Sequence, residues 1–481
     1  MKIHDLIFKR DAVEYRATGD ENVTRITADA SDADKNTLLV ITSSRGLRSF
    51  MKLKPRVAAV LCDENEELPD NIPAVRVKNC RLAAANACAR LYEYRSGDML
   101  MIGITGTNGK TSTARFLKAA LEAGGYKVGF IGTGAIETTD NRYSGSHYSM
   151  TTPDPWVLFP ALKKFKEDGC RAVVMEVSSH ALALEKVAPI EFDYGVFTNI
   201  SAEHMDFHTD MEDYLGAKRR LLEKSRIAVY NVDDRYGRSL YEERSESKIS
   251  AGVLWDADIR ATHVERLQNL GPEYMYHGKD FTFTMRLSVP GIHNVYNSML
   301  AAAVAIDAGV RPCIVKRALS ELSSIEGRME IIKDEITVII DYAHTDSGLA
   351  ALLREILAIK GAAGKLHTVF GCGGERDKKK RPRMAAIAET YSDKITVTSD
   401  NPRGEDPLAI IEDICKGFTK NSYTVIPDRR DAIFNAIVTA QKSDVIALVG
   451  KGAERYQIDR DGYRDFDERS IVRDALASRR K

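Results

Sequence analysis

The segment from Gly103 to Thr111, GITGTNGKT, combines glycines, a lysine and a threonine in the pattern of a phosphate-binding loop. In such loops, backbone N–H groups and the N-terminus of the following helix hold phosphate oxygens. Lys110 can reach the terminal phosphates, and the Thr111 hydroxyl is placed to hold Mg²⁺. A glycine-rich turn with a surface lysine is the alternative, and five residues instead of four separate Gly103 from Gly109. The segment nevertheless follows a strand pattern and opens a helix pattern, so ATP binding is predicted. The other residues predicted to contact the nucleotide here are Gly106, Thr107, Asn108, Gly109 and Ser112.

Two further groups of polar residues follow strand patterns in the next hundred residues. Glu176 leaves one strand, and a carboxylate at that place suits a direct or second-sphere Mg²⁺ ligand. After the next strand come two histidines and two acidic residues: Glu203, His204, Asp206 and His208. Each histidine alone is more simply a hydrogen-bonded loop residue. Together, at a strand end, the four predict a metal or proton-transfer cluster.

The last third of the chain offers three more candidate segments. Asp341 ends a strand pattern and could meet a ribose or a base. The glycine-rich stretch from Gly371 continues into six basic residues between 376 and 383. A nucleic-acid patch is one interpretation, but no aromatic residue is interleaved, so a carboxylate or phosphate ligand fits better. In DNPR, at 400–403, an acid and a guanidinium suit a small zwitterion, and a polar turn closed by proline is equally consistent.

The elements that must position these residues alternate between strand and helix. One series runs from about residue 98 to 200 and a second begins near Met329, with a long helix predicted between Gly291 and Ala308. Such alternation predicts an α/β fold with mainly parallel sheets, whose active residues lie at the carboxyl ends of the strands. Three domains are predicted: a small N-terminal α/β domain (1–97), a central P-loop ATPase domain (98–327) and a C-terminal Rossmann-like domain (328–481).

Composition excludes several classes of protein. The 481 residues include 69 Lys and Arg and 69 Asp and Glu, so no net charge attracts nucleic acid or an acidic membrane. The longest apolar run, around Met299 to Ile306, is far shorter than the roughly 18 residues of a membrane span. The start resembles no secretory signal, and the seven dispersed cysteines are typical of reduced thiols. We expect a cytoplasmic monomer without membrane insertion and without a nucleic-acid partner.

Taken together, the segments resemble the Mur ligase family, and within it the MurE type, which adds the third residue of the peptidoglycan stem peptide. The motifs that carry the resemblance are TGTNGKT (105–111), TTPD (151–154), EVSSH (176–180), Asn199 to Asp206, GIHNVYN (291–297), GRME (327–330), DYAH (341–344), GCGGERD (371–377) and DNPR (400–403). DNPR is similar to the motif of members that add meso-diaminopimelate. The resemblance therefore implies a cell-wall enzyme that joins meso-diaminopimelate to UDP-MurNAc-L-Ala-D-Glu through an acyl phosphate made with ATP.

The same resemblance implies a role for individual residues. Thr111 and Glu176 would serve one Mg²⁺ and His204 a second, while Lys110 neutralises charge on the phosphates. Lys218 has the local pattern of a solvated helix lysine, but it falls where the family carries a carbamylated lysine. The residues implied to contact the nucleotide are Asn294, Arg328 and Asp341. Those implied to contact the muramyl peptide are Thr151, Thr152, Ser178 and Lys186. Those implied to hold diaminopimelate are Arg376, Asp400, Asn401, Arg403, Gly450 and Glu454.

The sequence departs from the family pattern at several positions. Asp29-Ala30-Ser31 stands where the family has Asp-Ser-Arg, which helps to hold the UDP end. Lys186 replaces an arginine, Glu203 replaces an aspartate, and Ala453 replaces the histidine of the GKGHE motif. Two alternatives therefore stay open: a ligase that adds L-lysine or another diamino acid, and a nucleotide-binding protein that has lost catalysis and serves a protein partner.

Overall fold

The computed structural model of the protein describes residues 1–17, 21–143, 150–205, 207–245, 247–267, 271–360, 364–420 and 422–479. Its chain forms two compact units. The first consists of Met1–Thr105, Gly125–Val196 and Gly216–Ala228, and the second of Gly106–Gly124, Phe197–Leu215 and Val229–Lys481. The three-domain boundaries remain a prediction.

The N-terminal segment forms a five-stranded sheet in the order β1-β5-β4-β3-β2, parallel except for β1. The strands are β1 (Ala12–Tyr15), β2 (Arg25–Thr27), β3 (Thr37–Ile41), β4 (Ala59–Asp63) and β5 (Ala74–Val77). The helices are α1 (Ile3–Leu6), α2 (Ser44–Leu53) and α3 (Cys80–Leu91), with short 3₁₀ turns at Lys9–Asp11 and Ala30–Asp32. Every residue of β3 is buried, as expected for an inner strand covered on both faces.

The middle of the chain contributes strands to both units. In the first unit the strand order is β11-β6-β10-β7-β8-β9, and in the second it is β16-β15-β14-β13. The pairs β6–β10 and β7–β10 are parallel, whereas β7–β8, β8–β9, β14–β15 and β15–β16 are antiparallel hairpins that the sequence analysis did not predict. The strands are β6 (Leu100–Thr105), β7 (Val128–Gly132), β8 (Ala135–Thr138), β9 (Arg142–Tyr143), β10 (Ala172–Glu176), β11 (Phe192–Phe197), β12 (Ser225–Asn231), β13 (Lys248–Gly252), β14 (Ile259–Arg266), β15 (Pro272–His277) and β16 (Thr282–Arg286). The helices are α4 (Lys110–Ala123), α5 (Pro155–Glu167), α6 (Ser179–Ala183), α7 (Met211–Glu223), α8 (Arg235–Glu243), α9 (Asn294–Asp307) and α10 (Pro312–Glu321). The predicted long helix is thus α9, which is alanine-rich, almost wholly buried and packed along α4.

The C-terminal region forms a six-stranded sheet in the order β17-β18-β22-β19-β20-β21, in which only the edge strand β17 is antiparallel. The strands are β17 (Glu330–Lys333), β18 (Thr337–Asp341), β19 (Leu366–Phe370), β20 (Lys394–Val397), β21 (Tyr423–Val425) and β22 (Val445–Val449), and a separate hairpin joins β23 (Tyr456–Asp459) to β24 (Gly462–Asp465). The helices are α11 (Asp346–Lys360), α12 (Lys380–Tyr391), α13 (Pro407–Cys415), α14 (Arg429–Val438) and α15 (Glu468–Arg479).

Side chains that alternate along the strands of this sheet build two apolar cores. Ile339 and Ala447 face the core shared with α11, α12 and α13, whereas Val338 and Ile446 face the core shared with α14 and α15. A parallel sheet with helices on both faces requires this alternation. The predicted α/β class with mainly parallel sheets is confirmed. Among the described residues, no helix is both long and apolar enough to cross a membrane.

His367 gives this sheet a pH-dependent stability. It lies on β19, 7% exposed, with Nε2 2.8 Å from the hydroxyl of Thr396. Burial, helped by the positive charge of Lys394, lowers the pKa of His367 to about 4, against about 6.5 in an unfolded chain. The folded state thus resists protonation, so the stabilising contribution is complete above the unfolded pKa and is lost as pH falls from 6.5 towards 4.

We expect the wild-type free energy of unfolding to fall by about 2 kcal/mol more between pH 7.5 and pH 5 than that of His367→Gln. Urea unfolding at the two pH values measures the difference. His4→Gln, which removes an exposed histidine, is the control and should behave as wild type. Equal losses in wild type and His367→Gln would contradict the prediction.

Candidate functional site

The predicted phosphate loop joins the end of β6 to the start of α4. Gly106 and Gly109 both have positive φ angles, +148° and +86°. A Cβ atom at Gly106 would overlap the hydroxyl of Thr198, and one at Gly109 would lie 2.5 Å from Asn297 Oδ1. Only glycine allows the backbone to pass this close to its neighbours. The loop thus has the strand-to-helix setting that the sequence predicts.

The segment after β11 holds the loop in this shape. Asn199 O accepts the Thr107 N–H at 2.8 Å, and Asn199 Oδ1 accepts the Asn108 N–H at 3.0 Å. The Thr198 hydroxyl donates to Asn108 O at 2.6 Å. On the other side, the Thr107 hydroxyl lies 3.1 Å from the hydroxyl of Tyr214 on α7. The loop conformation therefore rests on residues about ninety positions further along the chain.

Charged side chains surround the start of α4. Lys110 Nζ donates to the carbonyls of Gly106 and Thr107 at 2.8 and 2.9 Å. The Thr111 hydroxyl accepts from Arg328 Nη2 at 2.8 Å, and the Arg328 guanidinium stacks on the ring of Tyr342 at 4.4 Å. Two residues predicted from separate motifs, Thr111 and Arg328, are thus in contact. Positive charge at a helix N-terminus makes a strong site for phosphate groups.

Asn294 and Asp341, the other residues implied to contact a nucleotide, hold parts of the chain in place. Asn294 is buried, donates from Nδ2 to Pro290 O at 2.6 Å, and accepts from Asn297 at 2.8 Å. The two carboxylate oxygens of Asp341 accept the N–H groups of Met329 and Ala343, each at 2.7 Å. Their contact with a nucleotide stays a prediction.

The predicted metal or proton-transfer cluster is divided in the structure. Glu203 lies 3.3 Å from His344 Nε2 and 3.9 Å from His204, whereas the buried His208 turns to Asp213 at 3.1 Å. Asp206 lies outside the described residues. Among the described residues, no three His, Cys, Asp or Glu side chains gather in metal-binding geometry. Sequence reasoning missed the contact with His344, because 141 positions (203 to 344) separate the partners.

Glu203 stays ionised despite its burial. Burial alone would raise the pKa of its carboxyl, but the hydrogen bond and charge of His344 lower that pKa well below its ordinary value. The charges of His204 and Lys110 act in the same direction. Glu203 therefore presents a carboxylate to His344, His204 and Lys110, which all belong to the second unit.

In the first unit, the residues implied to meet the muramyl peptide gather around Glu176. The fully buried carboxylate of Glu176 accepts the N–H and hydroxyl of Thr133 at 3.0 and 3.2 Å. Thr151 reaches the hydroxyl of Thr133 at 3.1 Å, and Thr152 bonds to Glu176 O and to the Ser178 N–H, both at 2.9 Å. Thr133 was missed by sequence reasoning, since it belongs to no recognised motif.

Two lysines of the first unit are buried. Lys186, 7% exposed, pairs with Asp154 at 2.8 Å. Lys218 is 1% exposed, so its local interpretation as a solvated lysine is wrong. It lies on α7 four residues after Tyr214 and three before Leu221, both buried, and therefore shares the inward face of the helix. The carbamylation that the resemblance implies for Lys218 stays a prediction.

The residues implied to hold an amino acid meet beyond β20 and β22. Asn401 donates to Glu454 Oε2 at 2.8 Å, and a Cβ at Gly450, where φ is +120°, would lie 2.6 Å from Asp400 Oδ2. Lys451, which sequence reasoning did not select, donates to both Asn401 and Glu454. Four of the six implied residues, Asp400, Asn401, Gly450 and Glu454, are therefore in one buried group.

Asp400 is charged inside this group. Burial would raise the pKa of its carboxyl, but the positive charge of Lys451 and then that of Arg429 hold the pKa below its ordinary value. Arg403 adds a third positive charge. The site thus combines buried carboxylates with nearby cations, which suits a ligand that carries both signs of charge.

Two arginines stand beside the buried group at Gly373. A Cβ at Gly373 would lie 2.9 Å from Arg403 Nη1 and 3.8 Å from Arg376 Cγ. Arg403 donates from Nη1 to Gly374 O and Asn401 O, whereas Arg376 is exposed and makes no ion pair with a described residue. The structure therefore places both implied carboxylate-binding arginines at one glycine-rich turn.

Three of the six basic residues in the run that begins at Arg376 are paired with carboxylates. Arg381 is fully buried between two carboxylates, and two other cations of the run are paired. The pairs are Arg381 with Glu405 and Asp413, Lys378 with Glu405, and Arg383 with Asp346. Pairing therefore halves the charge that this run could offer to a phosphate backbone, which weakens the nucleic-acid interpretation.

The first unit also contains a cavity of about 370 Å³. It is lined by Arg25, Asp29, Tyr92, Trp156 and Lys164, among others. Asp29 accepts from the N–H and hydroxyl of Ser31 at 2.9 and 2.6 Å. The Asp29-Ala30-Ser31 segment, where the sequence departs from the family, thus borders an open space with aromatic and basic walls.

Comparison with known proteins shows which domain families and which relatives the chain resembles. The model of the Mur ligase middle domain matches residues 104–305, and that of the Mur ligase glutamate ligase domain matches residues 327–452. The UDP-N-acetylmuramoyl-L-alanyl-D-glutamate–2,6-diaminopimelate ligase of Clostridium tetani is 39% identical over 86% of this chain and 85% of its own length. The relative of the same name in Clostridioides difficile is 34% identical over 99% of this chain and 100% of its own length.

Solved structures agree on the fold. A structure of a UDP-N-acetylmuramoyl-L-alanyl-D-glutamate–2,6-diaminopimelate ligase superposes with a TM-score of 0.66 at 24% identity, over 100% of this chain and 99% of the other. MurF ligase from Thermotoga maritima, in complex with ADP, superposes with a TM-score of 0.62 at 16% identity, over 95% of this chain and 97% of the other. On the strength of the domain matches and the full-length relatives, the chain belongs to the Mur ligase family.

Proposed function

We propose that the protein is an ATP-dependent amide ligase that joins meso-diaminopimelate to UDP-MurNAc-L-Ala-D-Glu in peptidoglycan biosynthesis, acting as a monomer in the cytoplasm. The observation that carries the proposal is the amino-acid site. Buried Asp400 and Glu454 suit an ammonium group, and Arg376 and Arg403 beside Gly373 suit carboxylates. Relatives that share most of the chain are named for this reaction.

The chemistry proceeds in two balanced steps. A carboxylate oxygen of the D-glutamyl residue attacks the terminal phosphorus of ATP, which releases ADP and leaves an acyl phosphate. The neutral amine of diaminopimelate then attacks the acyl carbon, its nitrogen releases one proton to water, and inorganic phosphate leaves with the former carboxylate oxygen. Lys110 and the N-terminus of α4 stabilise the charge that develops on the phosphoryl oxygens. Activation is needed because phosphate is a far better leaving group than oxide.

Thr111 and Glu176 offer the oxygen ligands that Mg²⁺ prefers, and this ion usually keeps several waters. Thr111 and Glu176 would hold one ion, and His204 a second. When bound, the metal would neutralise charge on the transferred phosphoryl group. Lys218 is buried, and as an ammonium it would repel a nearby metal cation. Carbamylation would convert its side chain into an anion, which would attract the metal instead.

The acyl substrate would lie along the first unit. Thr151, Thr152 and Ser178 offer hydroxyl and amide groups, and Lys186 adds a positive charge already paired with Asp154. The cavity beside Asp29 would take the UDP end, because its aromatic side chains suit a base, while its two cations, Arg25 and Lys164, are already paired with carboxylates. Lysine at position 186 provides a point charge instead of the two-pronged arginine contact.

The first prediction concerns the amine. With Mg²⁺, ATP and UDP-MurNAc-L-Ala-D-Glu, we expect ADP formation that depends on meso-diaminopimelate and not on L-lysine. Arg403→Asn should raise the KM for diaminopimelate at least tenfold, because a charge-assisted contact to a carboxylate is lost. Arg473→Asn, an exposed change on α15, is the control.

Turnover with lysine alone would keep the ligase chemistry and discard diaminopimelate as the amine. ADP formation with neither amine nor muramyl substrate would contradict the proposed ligase. Purified protein that stays inactive with both amines would favour the non-catalytic alternative.

A second prediction concerns the phosphate loop. Gly106→Ala should abolish ATP binding and turnover, because the new Cβ would collide with Thr198 and the φ of +148° is strained for alanine. Gly216→Ala is the matched control, since a Cβ there meets no described atom within 4 Å and the position is inside helix α7. It should keep activity and gain up to about 1 kcal/mol of stability. Calorimetric ATP titration and thermal unfolding measure both effects, and wild-type ATP affinity in Gly106→Ala would refute the steric argument.

A further inference from the structure

Lys451 is a buried cation in the amino-acid site to which no motif assigns a role. Its side chain has no exposed surface. Nζ donates to Asn401 Oδ1 at 2.9 Å and to Glu454 Oε2 at 3.1 Å, and the rings of Tyr456 and Phe466 lie 5.7 and 5.8 Å away. Removing an ammonium from water is costly unless it is paired and hydrogen-bonded. These contacts satisfy that requirement inside the candidate site.

Lys451 helps to determine how the amide of Asn401 is oriented. Asn401 Oδ1 accepts from two groups that can only donate, the Lys451 ammonium and the Ile458 N–H at 3.0 Å. The amide nitrogen must then face the opposite way, where it donates to Glu454 Oε2 at 2.8 Å. Rotating the amide by half a turn would set its NH₂ group against two donors. The contacts with Lys451, Ile458 and Glu454 thus favour the same one of the two orientations of Asn401, and Lys451 supplies the only charged donor among them.

Lys451 also fixes Glu454. Oε2 of this carboxylate accepts hydrogen bonds from both Asn401 and Lys451, and these two bonds restrain the Glu454 side chain. The same ammonium is the strongest positive influence on Asp400, whose pKa is held below its ordinary value. A single buried charge therefore connects Asp400, Asn401 and Glu454, three of the six residues that the resemblance assigns to diaminopimelate.

We propose that Lys451 is a positioning residue that sets the Asn401 amide and the Glu454 carboxylate for the incoming diamino acid. The inference rests on the proposed function. Lys451 acts through its neighbours and does not itself contact the reacting atoms. Its loss should consequently weaken recognition of the amine and leave the ATP-dependent activation of the muramyl carboxylate intact.

The test separates these two halves of the reaction. Lys451→Met removes the charge at similar length, and Lys451→Gln removes the charge but keeps an N–H donor. Lys379→Met, which changes an exposed lysine of the basic run at 376–383, is the control. Three quantities are measured for each variant. They are the KM for meso-diaminopimelate, the dissociation constant of meso-diaminopimelate by calorimetry, and the rate of acyl-phosphate formation without amine, which positional isotope exchange in ATP reports.

For Lys451→Met we expect a tenfold or larger increase in the KM and dissociation constant for diaminopimelate, with isotope exchange and the KM for ATP within twofold of wild type. Lys451→Gln should show a smaller increase, because it can still orient Asn401. Unchanged amine binding in both variants would overturn the inference, and so would parallel losses of amine binding and isotope exchange. If circular dichroism shows that Lys451→Met does not fold, Lys451→Gln tests the inference by the same measurements of amine binding and isotope exchange. Wild-type protein that neither binds nor uses diaminopimelate would overturn the proposed function, and the inference with it.

Discussion

The close approach of the backbone at Gly106 to Thr198 is the constraint on which the phosphate loop depends. A side chain at Gly106 would displace the segment after β11, and that segment supplies the bonds from Asn199 to Thr107 and Asn108. The loop conformation in turn sets where α4 begins and where Lys110 and the helix N-terminus present positive charge. Local backbone geometry, more than any single polar contact, therefore defines the anion site.

In the C-terminal region, buried ion pairs hold the strand ends that carry the amino-acid site. Arg429 and Glu468 are both fully buried and lie 2.7 Å apart, and Arg429 also donates to Val449 O at 3.0 Å, at the end of β22. Removing one partner would leave a buried charge without compensation, which is strongly destabilising. Such pairs fix the strand ends from which Asp400 and Lys451 emerge. The amino-acid site is thus supported by charges that water does not reach.

The sequence predicted those features that depend on neighbouring residues. The strand–loop–helix at 100–123, the α/β class and the grouping of Asp400 with Asn401 all follow from short patterns. Lys451, Thr133 and His344 were missed because their importance lies in contacts with residues tens of positions away. Lys218 was misjudged locally because the basic residues that follow it suggest a solvated face, whereas Tyr214 and Leu221 turn that face inward. The hairpins from β14 to β16 were not predicted because β14 and β16 carry polar residues at many half-buried or exposed positions, although burial alternates regularly along β15.

Within the second unit, the two sites differ in electrostatic character. Around α4, Lys110 and Arg328 place cations beside a helix N-terminus, a setting that attracts a polyanion. Around β22, Asp400 and Glu454 place carboxylates in a buried group where Lys451 is already engaged, a setting that accepts an ammonium. The group around β22 also contains the cations Lys451, Arg429 and Arg403, so it offers both signs of charge, whereas the start of α4 favours a polyanion. A nucleotide and a diamino acid therefore meet different electrostatic surroundings before any shape is matched.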